Sequence, residues 1–317
     1  MGAHDALDVV ALSEQVLRDW PLPAVAADGD KEVRGSVLIV AGSFEMPGAA
    51  ILAATNALRA GAGKLTVATD VRVAQHVAMA VPEARVVGMR LDGSEVASCR
   101  EALGADAADA FDAVVIGPGM PDDDGCAGVI RALLAVLAGT QLILDAVAMR
   151  AALRSDEHDP RGARGGAVTR PRIPFPANTR VLLTPHAGEM AKLTGLSKEA
   201  VAAAPAAVAR DASASWNAVV ALKGATTYIA APAGRVWRHD GGHVGLASSG
   251  SGDALAGIIG GLAARGAPLD QAAAWGVALH ARAGERLAAQ IGPLGFLARE
   301  IGGQIPALMR EWSPQQE

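Results

Sequence analysis

The 317-residue chain is long enough to bury a sizeable core, as one large α/β domain or two small ones. Its apolar fraction of 51% comes chiefly from Ala, Val and Leu, with only 3% aromatics; this suits helices packed closely on a Val-rich parallel sheet and argues against the stacking platforms that bind single-stranded nucleic acid. Lys plus Arg number 28 against 33 Asp plus Glu, a net charge of −5 without any basic cluster, so neither nucleic acid nor an anionic membrane is an expected partner.

Residues 1–34 read as an N-terminal lead-in containing Pro21 and Pro23. They show no basic-then-apolar leader, and no run in the chain approaches a bilayer span. The two cysteines, Cys99 and Cys126, make neither a disulfide framework nor a metal spacing, and a cytoplasmic location is expected. Short β-rich runs then alternate with Ala-rich helical stretches: Ser36 to Ala41, Lys64 to Thr69, Arg85 to Met89, Ala113 to Ile116, Gln141 to Leu144, Val181 to Thr184 and Val219 to Leu222. Such alternation predicts βαβ units and a mostly parallel sheet. Thr226 to Ala231 and Arg235 to Arg238, joined through Pro232-Ala233-Gly234, predict a β-hairpin late in the sheet. Between the runs that end at Leu144 and begin at Val181, residues 155–179 have no apolar period and many Gly and Pro, and read as a surface loop, either a lid or an insertion. The strand pattern resumes at Val181 and nothing repeats, so residues 1–317 are expected to form a single domain.

Five predicted strands end in small or polar residues: Ala41-Gly42-Ser43, Gly117-Pro118-Gly119, Asp145-Ala146, Thr184-Pro185-His186 and Lys223-Gly224. Ligands of open α/β sheets bind outside the carboxyl ends of the strands, so these five ends outline one expected cleft. Gly42 to Ala50 leads into a helix running to Arg59, with Pro47 in its first turn and small residues at Gly48 and Ala49 that admit a bulky ligand. Gly119 offers a similar close approach of backbone. Of the seven histidines, His186 alone stands at a cleft-facing strand end, with Glu189 opening the next helix. His280 reads as packing within a helix from Leu269 to Leu287. Lys223 closes a strand and is followed by Gly224, Ala225, Thr226 and Thr227, a small-residue turn able to wrap a nucleotide with N–H groups and hydroxyls.

Residues 247–257 carry the most chemistry: Ala-Ser-Ser-Gly-Ser-Gly-Asp-Ala-Leu-Ala-Gly. Leu255, Ile258, Ile259 and Leu262 fall on one face of a predicted helix, which places Gly250, Ser251 and Gly252 at its N-terminus, where unpaired N–H groups and the dipole favour an anion. Asp253 beside an anion hole gains little from facing a phosphate unless it takes a proton from a hydroxyl that attacks a phosphoryl group. The plain alternative is an ordinary helix cap.

In order, AGSFEMPGAAILAATNALRAGAGKLTVAT, VVIGPGMP, LILDAVAM, LLTPHAGEMAKLTG, VVALKGATTYIA and LASSGSGDALAGIIGGLAARG resemble the ADP-dependent NAD(P)H-hydrate dehydratases, from about Gly35 to Leu308. The resemblance implies a ribokinase-like three-layer α/β/α sandwich. It also implies a substrate, NADHX or NADPHX, whose nicotinamide ring has taken up water at C6. The implied reaction phosphorylates the new hydroxyl from ADP and expels phosphate, with Mg2+ held mainly by phosphate and water and no protein metal-ligand cluster. Carried over by motif, Asp253 is the base and a substrate contact, Ala49, Gly119 and His186 touch the hydrated dinucleotide, and Lys223 to Thr227 with Gly252 hold ADP or AMP. The resemblance further implies a homo-oligomer, perhaps a tetramer, and a separate epimerase for the two hydrate epimers. Three positions depart from the family pattern: Ser249 replaces a usual glycine, Ala187 a usual proline, and Asp145-Ala146-Val147 lacks a second aspartate. An ATP-dependent kinase of the same fold, acting on a vitamin precursor or sugar, and a non-catalytic adenylate sensor are the two alternatives.

Overall fold

The computed structural model describes residues 8–24, 34–91, 103, 110–122, 124–137, 139–153 and 180–313; the expected loop at 155–179 lies outside them. The strands are β1 (Val9–Ala11), β2 (Ser36–Val40), β3 (Lys64–Asp70), β4 (Arg85–Met89), β5 (Ala113–Ile116), β6 (Gln141–Leu144), β7 (Arg180–Leu183), β8 (Val219–Leu222), β9 (Thr227–Ala230) and β10 (Val236–His239). Helices are α1 (Glu14–Asp19), α2 (Pro47–Arg59), α3 (Ala74–Ala80), α4 (Asp124–Val136), α5 (Val147–Leu153), α6 (Ala187–Thr194), α7 (Lys198–Ala203), α8 (Pro205–Trp216), α9 (Ser251–Ala264), α10 (Leu269–Gln290) and α11 (Ala298–Trp312). All ten strands join one sheet in the order β1-β10-β9-β8-β7-β6-β5-β2-β3-β4. It is parallel throughout except where β9 runs against β8 and β10. The expected strands and hairpin are all present, their ends within one residue of those read from the sequence.

Alternation along each central strand divides the interior in two. Val37, Ile39, Val115, Ile143 and Leu182 face a layer built from α2, α9, α10 and α11. Leu38, Val40, Ile116, Leu142 and Leu144 face a layer containing residues of α4, α5, α6 and α8. Strands buried on both faces read as continuous apolar runs, which is why they stand out in the sequence. The architecture is the expected α/β/α sandwich.

Two expectations need correction. Residues 8–24 of the expected lead-in are built into the fold, because β1 adds a parallel edge strand to β10, Val9 opposite Val236, and Trp20 stacks on Trp237 with centroids 5.4 Å apart. A three-residue strand has too little sequence to show a period. Helix α9 is buried nearly all round rather than on one face, since it lies between α2, α10 and the sheet. Its glycines make this possible: a Cβ on Gly257 would overlap the Ala53 carbonyl of α2, and one on Gly260 would overlap Val115 of β5. No helix among the described residues is long and apolar enough to cross a membrane.

Candidate active site

The chain winds outward from β2 through β3 to β4, then returns to place β5 on the other side of β2. That reversal opens a crevice at the carboxyl ends of β2 and β5, the usual ligand position in such sheets. The loops at its rim are locked together. Gly42, with φ 79, donates its N–H to the Pro118 carbonyl at 2.7 Å. Gly119, with φ 62, sits so close to α2 that a Cβ there would lie 2.5 Å from the Ala49 Cβ. Ala49 and Gly119 are thus neighbours in space, and any side chain at Gly119 would collide with Ala49.

The five strand ends read from the sequence belong to β2, β5, β6, β7 and β8, which are consecutive in the sheet. At the third of them stands Asp145, buried and accepting from the Thr184 hydroxyl at 2.5 Å and from Lys223 Nζ at 3.2 Å. Lys223, whose N–H donates to the Pro185 carbonyl at 2.8 Å, reaches across β7 toward the start of α9. Its ammonium lies 3.7 Å from where a Gly252 Cβ would be, so the lysine spans the gap between the β6 carboxylate and the helix N-terminus. Asp253 is in the first turn of α9. Burial pushes its pKa up to about 6, the neighbouring Asp145 charge adds to the shift, and Lys223 opposes it. A carboxylate poised near neutrality is suited to accept a proton.

The cap alternative fails on geometry. Gly250, not Asp253, is the N-cap of α9, with φ 88 and no side-chain cap bond. Of the three residues expected to offer N–H groups to an anion, Ser251 donates its N–H to the Ser248 carbonyl at 3.2 Å. Gly252 and Asp253 are left as the first-turn N–H donors that no backbone carbonyl accepts among the described residues. The Ser251 hydroxyl turns back to His280 Nε2 at 3.0 Å, and the same nitrogen lies 3.1 Å from the Ser251 carbonyl. Burial pushes the His280 pKa down to about 4, so a neutral imidazole braces the turn from behind. His280 is therefore more than packing within α10.

His186 caps α6. Its Nδ1 accepts from Gly188 N–H at 3.0 Å and Glu189 N–H at 3.3 Å, while Glu189 Oε2 accepts from the His186 N–H at 2.9 Å, a reciprocal capping box. The ring is 60% exposed with Nε2 as its outward nitrogen, 3.5 Å from Glu189. His186 also pairs across to Lys223 in an isolated bridge, which sets it on the rim of the cleft. In the turn after Lys223, Gly224 and Ala225 are exposed. Thr226 donates its hydroxyl to Asp240 at 3.0 Å and Thr227 already belongs to β9, so these two shape the turn more than they open it. Ala187 is the first residue of α6, a position that takes Pro or Ala alike, and Ser249 is exposed. Neither departure disturbs the cluster.

Sequence reading did not single out Asp145 or Thr184 as site residues. Their signal was present, a polar residue closing each apolar run in LILD and LLT, but it is ambiguous until the sheet order makes β6 and β7 neighbours. Among the described residues no three His, Cys, Asp or Glu side chains group to hold a metal ion.

A family model described as NAD(P)H-hydrate dehydratase matches residues 37–307. The chain belongs to the NAD(P)H-hydrate dehydratase family. Within that family it is 46% identical to the ADP-dependent (S)-NAD(P)H-hydrate dehydratase of Xanthomonas campestris, over 95% of this chain and 96% of that one. It is 35% identical to a bifunctional NAD(P)H-hydrate repair enzyme of Moorella thermoacetica, over 93% of this chain and 53% of the relative. In structure it resembles the ADP/ATP-dependent NAD(P)H-hydrate dehydratase of Bacillus subtilis crystallised with ATP and Mg2+, with a TM-score of 0.81 and 30% identity, covering 97% of this chain and 100% of that one. The dehydratase family model spans every residue of the cluster from Ala49 to Asp253.

Proposed function

We propose that the chain is an ADP-dependent (S)-NAD(P)H-hydrate dehydratase that returns C6-hydrated NADH or NADPH to the dihydronicotinamide. The observation that carries this is Asp253, a half-buried carboxylate with its pKa raised to about 6, set in the first turn of α9 beside the first-turn N–H donors and within the influence of the Lys223 ammonium. Asp253 takes the proton of the C6 hydroxyl as that oxygen attacks the terminal phosphoryl group of ADP, and AMP leaves. The phosphate ester then leaves C6 and the ring loses its C5 proton, restoring the C5–C6 double bond. The sum is hydrate plus ADP giving dinucleotide, AMP and phosphate. Gly252 and Asp253 N–H groups hold phosphate oxygens, Lys223 with Gly224 and Ala225 holds the nucleotide, and Ala49, Gly119 and His186 hold the hydrated dinucleotide.

The donor set fits Mg2+. Asp145, buried and paired with Lys223 Nζ at 3.2 Å, offers the hard oxygens that this ion prefers. Asp145, with phosphate oxygens and water, would hold it, and the chemistry it would supply there is to neutralise charge on the transferring phosphoryl group.

The test is to mix the purified protein with NADH hydrate, Mg2+ and either ADP or ATP. Recovery of dihydronicotinamide absorbance matched by AMP is the expected result. Recovery with ATP alone would overturn ADP as donor, and intact nucleotide without recovery would favour the kinase or the sensor.

The acid limb of kcat/KM gives a second check. Because Asp253 must be ionised to act, kcat/KM falls as pH drops through about 6. Asp145→Asn removes a neighbouring charge that raises the Asp253 pKa, so the limb moves to lower pH. Lys223→Met removes the group that opposes the rise, so it moves to higher pH. Limbs that move together, or stay fixed in both variants, would unseat Asp253 as the titrating base.

A further inference from the structure

The turn that follows Lys223 is held by a group that takes no part in the reaction above. Strands β9 and β10 pair antiparallel, and the last pair of their ladder at this end sets Thr227 opposite His239. Thr226 and Asp240, the next pair out, continue the register through side chains, the Thr226 hydroxyl donating to Asp240 Oδ1 at 3.0 Å. The other oxygen of that carboxylate accepts from Arg238, from Nε at 2.8 Å and from Nη2 at 2.7 Å. Asp240 is thus fixed by the strand that carries it, and it fixes one side of the 223–227 turn. The other side is Lys223, bonded through its N–H to Pro185. Gly224 and Ala225 lie exposed between these two anchors. A Cβ on Gly224 would be only 3.1 Å from the Thr226 carbonyl oxygen, so the course of the turn depends on where Thr226 is held.

Asp240 also begins the segment that leads to the anion donors. Residues 240–250 leave β10 beside the nucleotide turn and reach Gly250, the N-cap of α9, and α10 grips this segment near both ends. Glu285 of α10 accepts from the Gly242 N–H at 2.9 Å and, on its other oxygen, from Arg282 at 2.9 Å. His280, on the same helix, holds Ser251. Between these two grips, Leu246 fills the space that a Cβ on Gly284 would take. One helix therefore sets the spacing from Asp240 to the first turn of α9, and the Thr226 bond passes that spacing to the nucleotide turn. A ligand with phosphates at Gly252 and its nucleoside along Gly224 and Ala225 must match this distance. A site whose geometry is fixed beforehand loses less freedom on binding.

We infer that Asp240 is a positioning residue for the phosphoryl donor, holding through Thr226 the turn on which ADP lies. This deepens the dehydratase reading and rests on it. The test measures Kd for ADP by titration calorimetry, and KM for ADP and for NADH hydrate in turnover. The proteins compared are the parent, Asp240→Ala, Asp240→Asn, Thr226→Val and Thr226→Ser. The sign of the change separates positioning from charge. ADP is an anion, so deleting a nearby carboxylate would tighten its binding if charge alone mattered. Asp240→Ala also removes the acceptor, and is expected to weaken ADP about threefold to tenfold in Kd and KM alike, the scale of one hydrogen bond, with KM for the hydrate within about twofold of the parent. Asp240→Asn keeps an oxygen for the Thr226 hydroxyl and holds ADP as tightly as the parent or more so. Thr226→Val reproduces the loss, and Thr226→Ser, which keeps the hydroxyl, restores binding. Parental or tighter ADP binding by Asp240→Ala, equal losses in the Ala and Asn variants, or equal losses for ADP and the hydrate overturn the inference. A parent that binds ADP but turns over no hydrate overturns the dehydratase reading, and the Kd series still decides Asp240.

Discussion

Asp253→Asn is expected to lower kcat by about 10²-fold or more, the scale of losing a positioned base, while nucleotide affinity stays within a few-fold. The amide keeps the volume of the side chain and leaves the Gly252 and Asp253 backbone donors in place, so the anion site survives without the base. Stability should move the other way. Folding raises the Asp253 pKa from its ordinary 3.8 to about 6, so the folded state disfavours the ionised group. The stability of the neutral form is complete below the unfolded pKa and is lost as pH climbs through about 6. At neutral pH the ionised carboxylate costs the fold about 3 kcal/mol by linkage, and Asn removes that cost. A variant that is nearly inactive yet melts higher than the parent at neutral pH, and no higher at pH 4, is the expected pattern. Turnover at the parental rate would show that another group takes the proton. A lower melting temperature with lost activity would mean that Asp253 holds the helix start together rather than serving chemistry.

What the sequence made legible follows from where the signals are local. Strands β2, β5, β6, β7 and β8 are short apolar runs closed by polar or small residues, so both their existence and the cleft at their ends could be read directly. The Gly250–Asp253 turn was readable for the same reason, because helix period and turn chemistry meet within a few residues. Pairings across the sheet were not legible. Asp145 and Lys223 are 78 positions apart, and nothing local says that they form an ion pair. Ser251 and His280 are 29 apart, on separate helices, so the histidine looked like packing. Strand β1 was hidden by brevity: its partner β10 supplies the register that three residues cannot.

Gly257→Ala is expected to destabilise the protein by about 3 kcal/mol or more, although the same change in most exposed helices stabilises by up to about 1 kcal/mol. The added Cβ would overlap the Ala53 carbonyl oxygen and crowd the Ala53 Cα, both parts of the α2 backbone, and backbone cannot swing aside as a side-chain tip can. Overpacking of this kind forces whole elements to shift. Gly261 makes the same approach to the Ala57 carbonyl one turn later, so the two helices are held along a glycine seam with no slack. Gly303 supplies the control. It lies exposed in α11 with nothing within 4 Å of its would-be Cβ, and Gly303→Ala should raise the melting temperature slightly. The seam also bears on function, because α2 carries Ala49 at the crevice and α9 carries Asp253. Splaying them apart separates the proposed dinucleotide contact from the proposed base, so Gly257→Ala should lose kcat even at temperatures where it stays folded, whereas Gly303→Ala should keep it. Opposite signs for the two glycines in thermal unfolding would establish the seam as the element that sets the distance between Ala49 and Asp253. Like signs would show that α2 and α9 can part without strain.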